Sequence, residues 1–161
     1  MSPGRFLAGI AALIWRPEDK KYLILRRSED KDFASGSWEC PTGRVEHGES
    51  FTDAVHREVN EELGVQVQID FIVSTTHFFR GTPTEENELL GVMYCCSIEQ
   101  PEKIIISSEH SEYRWISNEE VEDLFHEDYW LSQLIRRAEK IRSSTPASLL
   151  DYYRQVNFEI K

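Results

Sequence analysis

The stretch from Ser50 to Leu63 restricts the fold more than any other part of the chain. Thr52, Val55, Val59 and the final leucine recur at helical spacing, so they form one stripe along a predicted helix. Gly64 follows, and glycine is a frequent terminator of helices. Because only this stripe can face a core, the helix requires a second layer of structure against which it is buried.

The segments around this helix have the composition and period of strands. Branched and aromatic residues separated by turn signals predict strands over residues 6–15, 22–25, 38–45, 65–79, 89–98 and 113–116. Helical spacing returns over residues 131–141 and 149–156. The mixture predicts a layered α/β fold in a single domain over residues 1–161, with residues 143–161 as a C-terminal helical extension.

The net charge of −11 limits the class of ligand. Proteins that bind long nucleic acids normally carry a basic surface, so we do not expect this chain to bind them. A small phosphorylated substrate is compatible with an acidic site when divalent cations lie between the two. No apolar run approaches the ~18 residues that span a bilayer, and the first residues lack the pattern of a signal peptide. We therefore expect a cytoplasmic protein that does not bind membranes.

Three glutamates on the predicted helix, Glu58, Glu61 and Glu62, are the strongest candidates for a functional site. Their i,i+3 and i,i+4 spacing brings the carboxylates together on one side of the helix. This crowding destabilises a free helix, and cations placed among the carboxylates relieve it. Oxygen-only ligands select hard ions, so the pattern predicts bound Mg²⁺, with Mn²⁺ as the alternative. Taken alone, the same helix is also compatible with a solvated acidic face.

The spacing around these glutamates decides between the two interpretations. Five residues separate Gly43 from Glu49, and seven more separate Glu49 from the run Arg57-Glu58-Val59-Asn60-Glu61-Glu62-Leu63-Gly64-Val65. Nine specified positions would match by chance in this chain with a probability on the order of 10⁻⁷. The segment from Gly43 to Val65 resembles the signature box of the Nudix hydrolases at every defining position. The flanking strand order resembles that family from about Phe6 to Phe125.

The resemblance implies an α/β/α sandwich with a mixed β-sheet and a loop-helix-loop metal site. It also implies an enzyme that hydrolyses nucleoside diphosphates linked to another moiety. The expected Mg²⁺ ligands, assigned by position, are Glu58, Glu61, Glu62 and the carbonyl of Gly43. Glu49 is expected to pair with Arg57 and to support the metal cluster.

Two acidic loops outside the box are candidates for the general base. Glu109 lies six residues before Trp115, which resembles the loop that brings a further glutamate to the metals in triphosphate-cleaving members. Glu85, Glu86 and Glu88 form a rival loop, similar in place to the one that supplies a base in the ADP-ribose-cleaving branch. We expect Glu109 to serve the chemistry.

Candidates for substrate contacts are fewer. Arg27 ends the second predicted strand beside the box loop, where a guanidinium can bind a phosphate. Trp38 and Phe33 are candidates to stack on a base, and for Trp38 the alternative is a position in the core. The five histidines show no ligand spacing, so His110 and the others are interpreted as structural or surface residues.

The leading functional hypothesis is a MutT-like pyrophosphohydrolase that converts a nucleoside triphosphate to a monophosphate and diphosphate. The alternative is an ADP-ribose or nucleotide-sugar pyrophosphatase, because Pro83 lies near the place where that branch carries a proline. A catalytically silent binding module is disfavoured, since such modules usually lose box glutamates. The expected partner is a small nucleotide-like molecule, and a homodimer is compatible with these observations.

Overall fold

A computed structural model describes residues 4–31, 34–156 and 158–160. Within these ranges the chain forms seven strands and four α-helices. The strands are Leu7–Arg16 (β1), Lys21–Arg27 (β2), Trp38–Glu39 (β3), Thr42–Arg44 (β4), Val67–Phe79 (β5), Glu88–Ile98 (β6) and His110–Ile116 (β7). The helices are Phe51–Leu63 (α1), Val121–Leu124 (α2), Trp130–Ser144 (α3) and Ala147–Gln155 (α4), and a short 3₁₀ turn covers Pro101–Lys103.

The seven strands belong to one mixed sheet. Its main path runs β3-β2-β1-β6-β5, with β4 also pairing with β1 and β7 with β2. The β1–β6 pair is parallel, and the other pairs are antiparallel. Mixed pairing follows from the connections, because β1 and β6 are joined only through the long excursion that contains α1 and β5.

Successive residues of β1 enter two different cores. Ile10 and Ala12 belong to a buried cluster that includes Val55 of α1, whereas Leu13 belongs to a second cluster that includes Leu131 of α3. Side chains alternate between the faces of a strand, so α1 and α3 cover opposite faces of the sheet. The predicted α/β/α sandwich with a mixed sheet is therefore confirmed.

Helix α1 begins and ends where the sequence predicts. The Ser50 side chain accepts a hydrogen bond from the Asp53 backbone N–H at 3.1 Å, which is the bond expected of an N-cap serine. Gly64 has φ of 68° and its N–H donates to the Asn60 carbonyl, a conformation that favours glycine. Val55, Val59 and Leu63 of the predicted stripe are buried, whereas Thr52 is half-buried. One acidic side chain of the same helix, Glu62, is buried as well.

Strand β7 is longer than predicted. The sequence predicts a strand from residue 113, whereas β7 begins at His110. The additional residues pair with the end of β2, where His110 lies opposite Arg27. Ser111 and Glu112 are polar, so this stretch has no apolar alternation from which a strand is predicted. Backbone pairing with β2 extends the strand instead.

The C-terminal residues pack on the sheet through a buried ionic group. We call Asp70, Ser97, Arg142 and Arg154 the Asp70 cluster. Asp70 occupies an irregularity of β5 and is fully buried. It accepts hydrogen bonds from Arg142 of α3 at 3.0 Å, Arg154 of α4 at 2.8 Å and the Ser97 hydroxyl at 3.0 Å.

Beyond α4 the chain reaches the start of α1. The Phe51 N–H donates to the Glu159 carboxylate at 2.6 Å, and the Phe158 ring packs edge-on against Tyr94. A carboxylate at the first turn of a helix satisfies an unpaired N–H and interacts favourably with the helix dipole. Among the residues that the structure describes, no helix combines the length and hydropathy needed to cross a bilayer.

Candidate active site

Gly43 and Glu58 are in direct contact. Gly43 lies on β4, where it pairs with Ile10 of β1, and Glu58 lies in the second half of α1. A Cβ atom at position 43 would fall 1.8 Å from Oε1 of Glu58, far inside van der Waals contact. With Glu58 in this conformation only glycine fits at position 43, and a larger residue would force the flexible carboxylate to move.

Arg57 binds three carboxylates, and we call Arg57, Glu49, Glu58 and Glu61 the Arg57 cluster. The guanidinium donates to both oxygens of Glu49 at 2.8 and 2.9 Å. It also donates to Glu58 at 2.7 Å and to Glu61 at 3.3 Å. The hydrogen bond between Arg57 and Glu49 lowers the pKa of Glu49 and raises the pKa of Arg57. One positive charge is thus shared among three negative charges.

Glu62 is the buried acid of the site. Its residue is 5% exposed, and its Oε1 accepts a hydrogen bond from the Thr42 N–H at 3.3 Å. Its Oε2 has no hydrogen-bond partner among the residues that the structure describes. Burial, followed by the charges of Glu39 and Glu58, raises the pKa of Glu62 well above its usual range. Burial also raises the pKa of Glu58, although Arg57 opposes that shift.

These donors have the chemistry of a hard-cation site, but they are not yet arranged around one point. No three His, Cys, Asp or Glu side chains within the described ranges are gathered as a bound ion requires. The Arg57 cluster gives the reason, since Glu58 and Glu61 both bind the guanidinium. The surplus of carboxylate oxygens and the unpartnered oxygen of Glu62 nevertheless fit a divalent ion. Glu58 binds Arg57 through Oε1 and Glu61 through Oε2, so the second oxygen of each lies outside these hydrogen bonds.

A second buried group lies beside Glu62. His110 Nε2 is 2.8 Å from Oε1 of Glu39 and 3.8 Å from Oε2 of Glu62. Arg27 donates to the same Glu39 oxygen at 3.1 Å. Sequence reasoning missed Glu39 and treated His110 as structural or surface. The structure excludes the surface alternative, because the His110 side chain is fully buried. The one available signal was an acidic residue directly before Cys40-Pro41 in an otherwise apolar short strand.

A cleft of about 670 Å³ opens beside these groups. Its acidic lining residues are Glu39, Glu58 and Glu109, its basic ones are Arg27, Arg44 and Arg80, and its large apolar ones are Phe78, Met93, Tyr129 and Trp130. The Glu109 charge contributes to the raised pKa of Glu58 and of Glu62, so the three carboxylates lie within electrostatic reach of one another. Burial and the charges of Arg44 and Arg27 lower the pKa of Arg80, which places the three guanidiniums in similar proximity.

The structure places one predicted substrate residue elsewhere. Trp38 packs against the core beneath α3, and Arg114 lies over its ring at 4.8 Å. The prediction that Trp38 stacks on a base is therefore not supported, since β3 turns Glu39 to the cleft and its neighbour away from it. Tyr129 and Trp130 supply aromatic rings to the cleft instead. Phe33, the other predicted stacking residue, lies outside the described residues.

The two candidate base loops are in different environments. Glu109 lines the cleft and directly precedes His110 at the start of β7. In the rival loop, Glu88 pairs with His77 at 2.9 Å, while Glu85 and Glu86 are exposed. The described residues that line the cleft include none of these three.

Comparison with known proteins agrees with this geometry. The family model of the NUDIX domain matches residues 5–137. A curated relative, nucleoside triphosphatase NudI from Escherichia coli O139:H28 (strain E24377A / ETEC), is 28% identical over 117 residues, covering 68% of this chain and 80% of the relative.

Solved structures share the fold. The MutT protein from Methanosarcina mazei Go1 superposes with a TM-score of 0.71 at 24% identity, covering 90% of this chain and 100% of that one. The NUDIX domain of Shewanella oneidensis NrtR, solved with ADP ribose, gives a TM-score of 0.66 at 21% identity, covering 84% and 87%. A family model that spans most of the chain, a shared fold and an intact set of box glutamates lead to one conclusion: the chain belongs to the Nudix family and is a Nudix hydrolase.

Proposed function

We propose that this enzyme is a divalent-metal-dependent pyrophosphohydrolase that converts a nucleoside triphosphate to a monophosphate and diphosphate. The observation that carries the proposal is the surplus of carboxylates around Glu62, whose buried Oε2 has no partner in the described structure. That surplus borders a cleft with three arginines. The name of the NudI relative, a nucleoside triphosphatase, supports the substrate class.

The residues that would hold the metal are those of the box. Glu58, Glu61 and Glu62 supply carboxylates, the Gly43 backbone supplies a carbonyl, and Glu49 supports the group through Arg57. Mg²⁺ is the proposed ion and Mn²⁺ the alternative, because all these donors are oxygen atoms. When bound, such an ion neutralises phosphate charge and lowers the pKa of a water molecule.

The remaining steps are assigned to the side chains of the cleft. Glu109 is exposed at the start of β7, where its carboxylate can accept a proton from the attacking water. Arg44 and Arg80 bind phosphate oxygens, and Arg27 does so from its ion pair with Glu39. Cleavage breaks one P–O bond of the α–β anhydride, and the water oxygen bonds to the attacked phosphorus. Diphosphate leaves if the α-phosphorus is attacked, and the nucleoside monophosphate leaves if the β-phosphorus is attacked.

The aromatic side of the cleft receives the nucleoside. Tyr129 and Trp130 come from the start of α3, and Phe78 comes from the end of β5. The Tyr129 hydroxyl donates to the Trp38 carbonyl, so its ring is fixed and stacking is its remaining contribution.

The second candidate is hydrolysis of ADP-ribose or a nucleotide sugar, and product analysis separates the two. The purified enzyme is incubated with nucleoside triphosphates, ADP-ribose and nucleotide sugars, with Mg²⁺ or Mn²⁺. We expect the highest kcat/KM for a triphosphate, with monophosphate and diphosphate as products. A higher kcat/KM for ADP-ribose, with release of AMP and ribose 5-phosphate, would overturn the substrate assignment.

The base assignment has its own test with a matched pair of variants. Glu109→Gln should lower kcat at least ~100-fold, the lower range for loss of a general base. Glu88→Gln changes a glutamate of the rival loop that pairs with His77, so kcat should stay close to wild type. The reverse result would move the base to the rival loop and favour the ADP-ribose branch.

A further inference from the structure

His110 is a buried imidazole between two carboxylates of the site. Its side chain is fully buried, with Nε2 2.8 Å from Glu39 Oε1 and 3.8 Å from Glu62 Oε2. The other ring nitrogen, Nδ1, is buried and has no hydrogen-bond partner among the described residues. A neutral imidazole carries one N–H. That hydrogen belongs on Nε2, because an unpaired lone pair at Nδ1 leaves no buried donor unsatisfied. His110 therefore donates to Glu39, and the nearest other carboxylate oxygen given for Nε2 is Oε2 of Glu62 at 3.8 Å, beyond hydrogen-bond distance.

Glu39 is held in turn from the opposite side. Its residue is 8% exposed, and the oxygen that accepts from His110 also accepts from Arg27 at 3.1 Å. Glu39 lies on β3, Arg27 on β2 and His110 on β7, and both β3 and β7 pair with β2. The hydrogen bonds therefore connect three neighbouring strands, and His110 also lies 3.8 Å from the buried Glu62 of α1.

We infer that Glu39 and His110 form a positioning pair that fixes two parts of the active site at once. Through Nε2, His110 limits the positions of the unpartnered Glu62 oxygen. Through the peptide bond, it fixes the start of β7 and hence Glu109, which directly precedes it. Glu39 keeps the imidazole in this orientation. The inference rests on the proposed roles of Glu62 and Glu109.

The physical argument for a role beyond packing is the direction of the N–H. A residue of similar size without a donor would fill the same space but leave Glu39 and Glu62 facing each other with no hydrogen between them. Hydrogen-bond partners behind metal ligands commonly change metal affinity or activity 10–100-fold when they are removed. The effect of this pair should therefore depend on the donor and not on the volume of the side chain.

Two substitutions of His110 separate donor from volume. His110→Phe fills the space without a donor, and His110→Gln keeps an N–H of similar reach. We expect His110→Phe to lower kcat and the Mn²⁺ affinity about 10–100-fold, with KM for substrate within about twofold. His110→Gln should recover most of both losses. Glu39→Gln should resemble His110→Phe. His77→Phe, at an exposed histidine paired with Glu88, is the matched control and should leave both quantities unchanged.

Mn²⁺ binding is measured by calorimetry or electron paramagnetic resonance on the full chain, without substrate. Wild-type kcat and Mn²⁺ affinity in His110→Phe would overturn the inference, as would equal losses in His110→Gln and His110→Phe. If either His110 variant fails to fold, Glu39→Gln decides by the same readouts. Glu62→Gln distinguishes this failure from failure of the proposed function. Unchanged Mn²⁺ binding in Glu62→Gln would contradict the proposed metal site. Weaker Mn²⁺ binding in Glu62→Gln, together with wild-type binding in the His110 variants, would contradict only the positioning pair.

Discussion

The Asp70 cluster and the Arg57 cluster contain the same chemical groups in opposite proportions. In the Asp70 cluster one buried carboxylate binds two guanidiniums, and Arg142 also lies over the Trp15 ring at 3.6 Å. In the Arg57 cluster one guanidinium serves three carboxylates. Glu62 and Glu39 add further negative charge nearby. In the first cluster both oxygens of the carboxylate have donors, although Arg142 Nε has no hydrogen-bond partner among the described residues. In the second cluster the carboxylates outnumber the guanidinium.

The difference separates an ionic group that contributes to the fold from one that has the chemistry of the proposed cation site. Asp70 is buried, but its two oxygens are occupied by donors from α3, α4 and β6. Glu62 is nearly as buried and retains an oxygen without a partner in the described structure. Burial without compensation raises the free energy of a charged carboxylate. In the described structure the carboxylates of the active site therefore outnumber their cationic partners, whereas Asp70 binds two guanidiniums.

The largest expected effect is on stability, and it comes from breaking the Asp70 cluster. Asp70→Ala leaves the buried Arg142 and the partly buried Arg154 without their carboxylate, so the free energy of unfolding should fall by about 3–5 kcal/mol. Urea denaturation measures the change, with Asp128→Ala at an exposed site as control. Below the melting transition kcat should remain within about twofold of wild type. A loss under 1 kcal/mol would contradict a structural role for the cluster.

Neutralising Glu62, which lies within electrostatic reach of Glu58 of the Arg57 cluster, should have the opposite profile. Glu62→Gln removes a proposed metal ligand, so kcat should fall at least ~100-fold, or about 3 kcal/mol of transition-state stabilisation. KM should change much less. Its metal-free melting temperature should equal or exceed that of wild type, because an uncompensated buried acid has become neutral. Steady-state kinetics at saturating Mg²⁺ measures the loss, and Glu122→Gln at an exposed ion pair is the control. Near-normal turnover in Glu62→Gln would remove it from the chemistry.

A bound cation should stabilise the carboxylates of the active site as the two guanidiniums stabilise Asp70. Free metal at ~100 times its Kd adds about 2.7 kcal/mol to the stability of a protein that binds it only when folded. For a chain of this size the melting temperature should rise by roughly 5–10 °C. Differential scanning calorimetry with MgCl₂ and with NaCl at equal ionic strength tests this. Equal shifts would indicate general screening of an acidic surface, and a shift retained in Glu58→Gln/Glu62→Gln would place the metal elsewhere.

The smallest expected effect is a difference in pH dependence. Burial raises the pKa of Glu62 in the folded metal-free protein. Between its unfolded pKa and this higher folded pKa the folded state binds more protons, so stability falls as the pH rises through that window. From about pH 5 to about pH 8, the free energy of unfolding should fall more steeply in wild type than in Glu62→Gln. Parallel profiles, measured by urea denaturation without metal, would contradict the buried acid.

The sequence predicts the features of the site that are local. The caps of α1, its buried stripe and the proximity of Glu58, Glu61 and Glu62 all follow from spacing along one helix. Gly43 is also part of the predicted box, but its contact with Glu58 is visible only in the three-dimensional structure.

The features that were missed depend on pairing between distant strands. Glu39 and His110 are 71 residues apart and meet because β3 and β7 both pair with β2. Tertiary packing sets the register between non-consecutive strands. The periodicity of either segment therefore does not predict that Glu39 and His110 meet. The misplaced Trp38 has the same origin, because the face that a two-residue strand presents is undetermined by its own sequence.

The hydrogen bond from Phe51 to Glu159 has a consequence for the limits of the folding unit. The family match ends at residue 137, yet the first N–H of α1 is satisfied from residue 159. Asp70 obtains both of its guanidiniums from beyond that limit. We propose that residues 1–161 unfold as one cooperative unit, and that a chain ended at residue 137 would lose much of its stability while retaining every glutamate of the box. The last residue of the family match would then lie before the last residue that this protein needs for a stable fold.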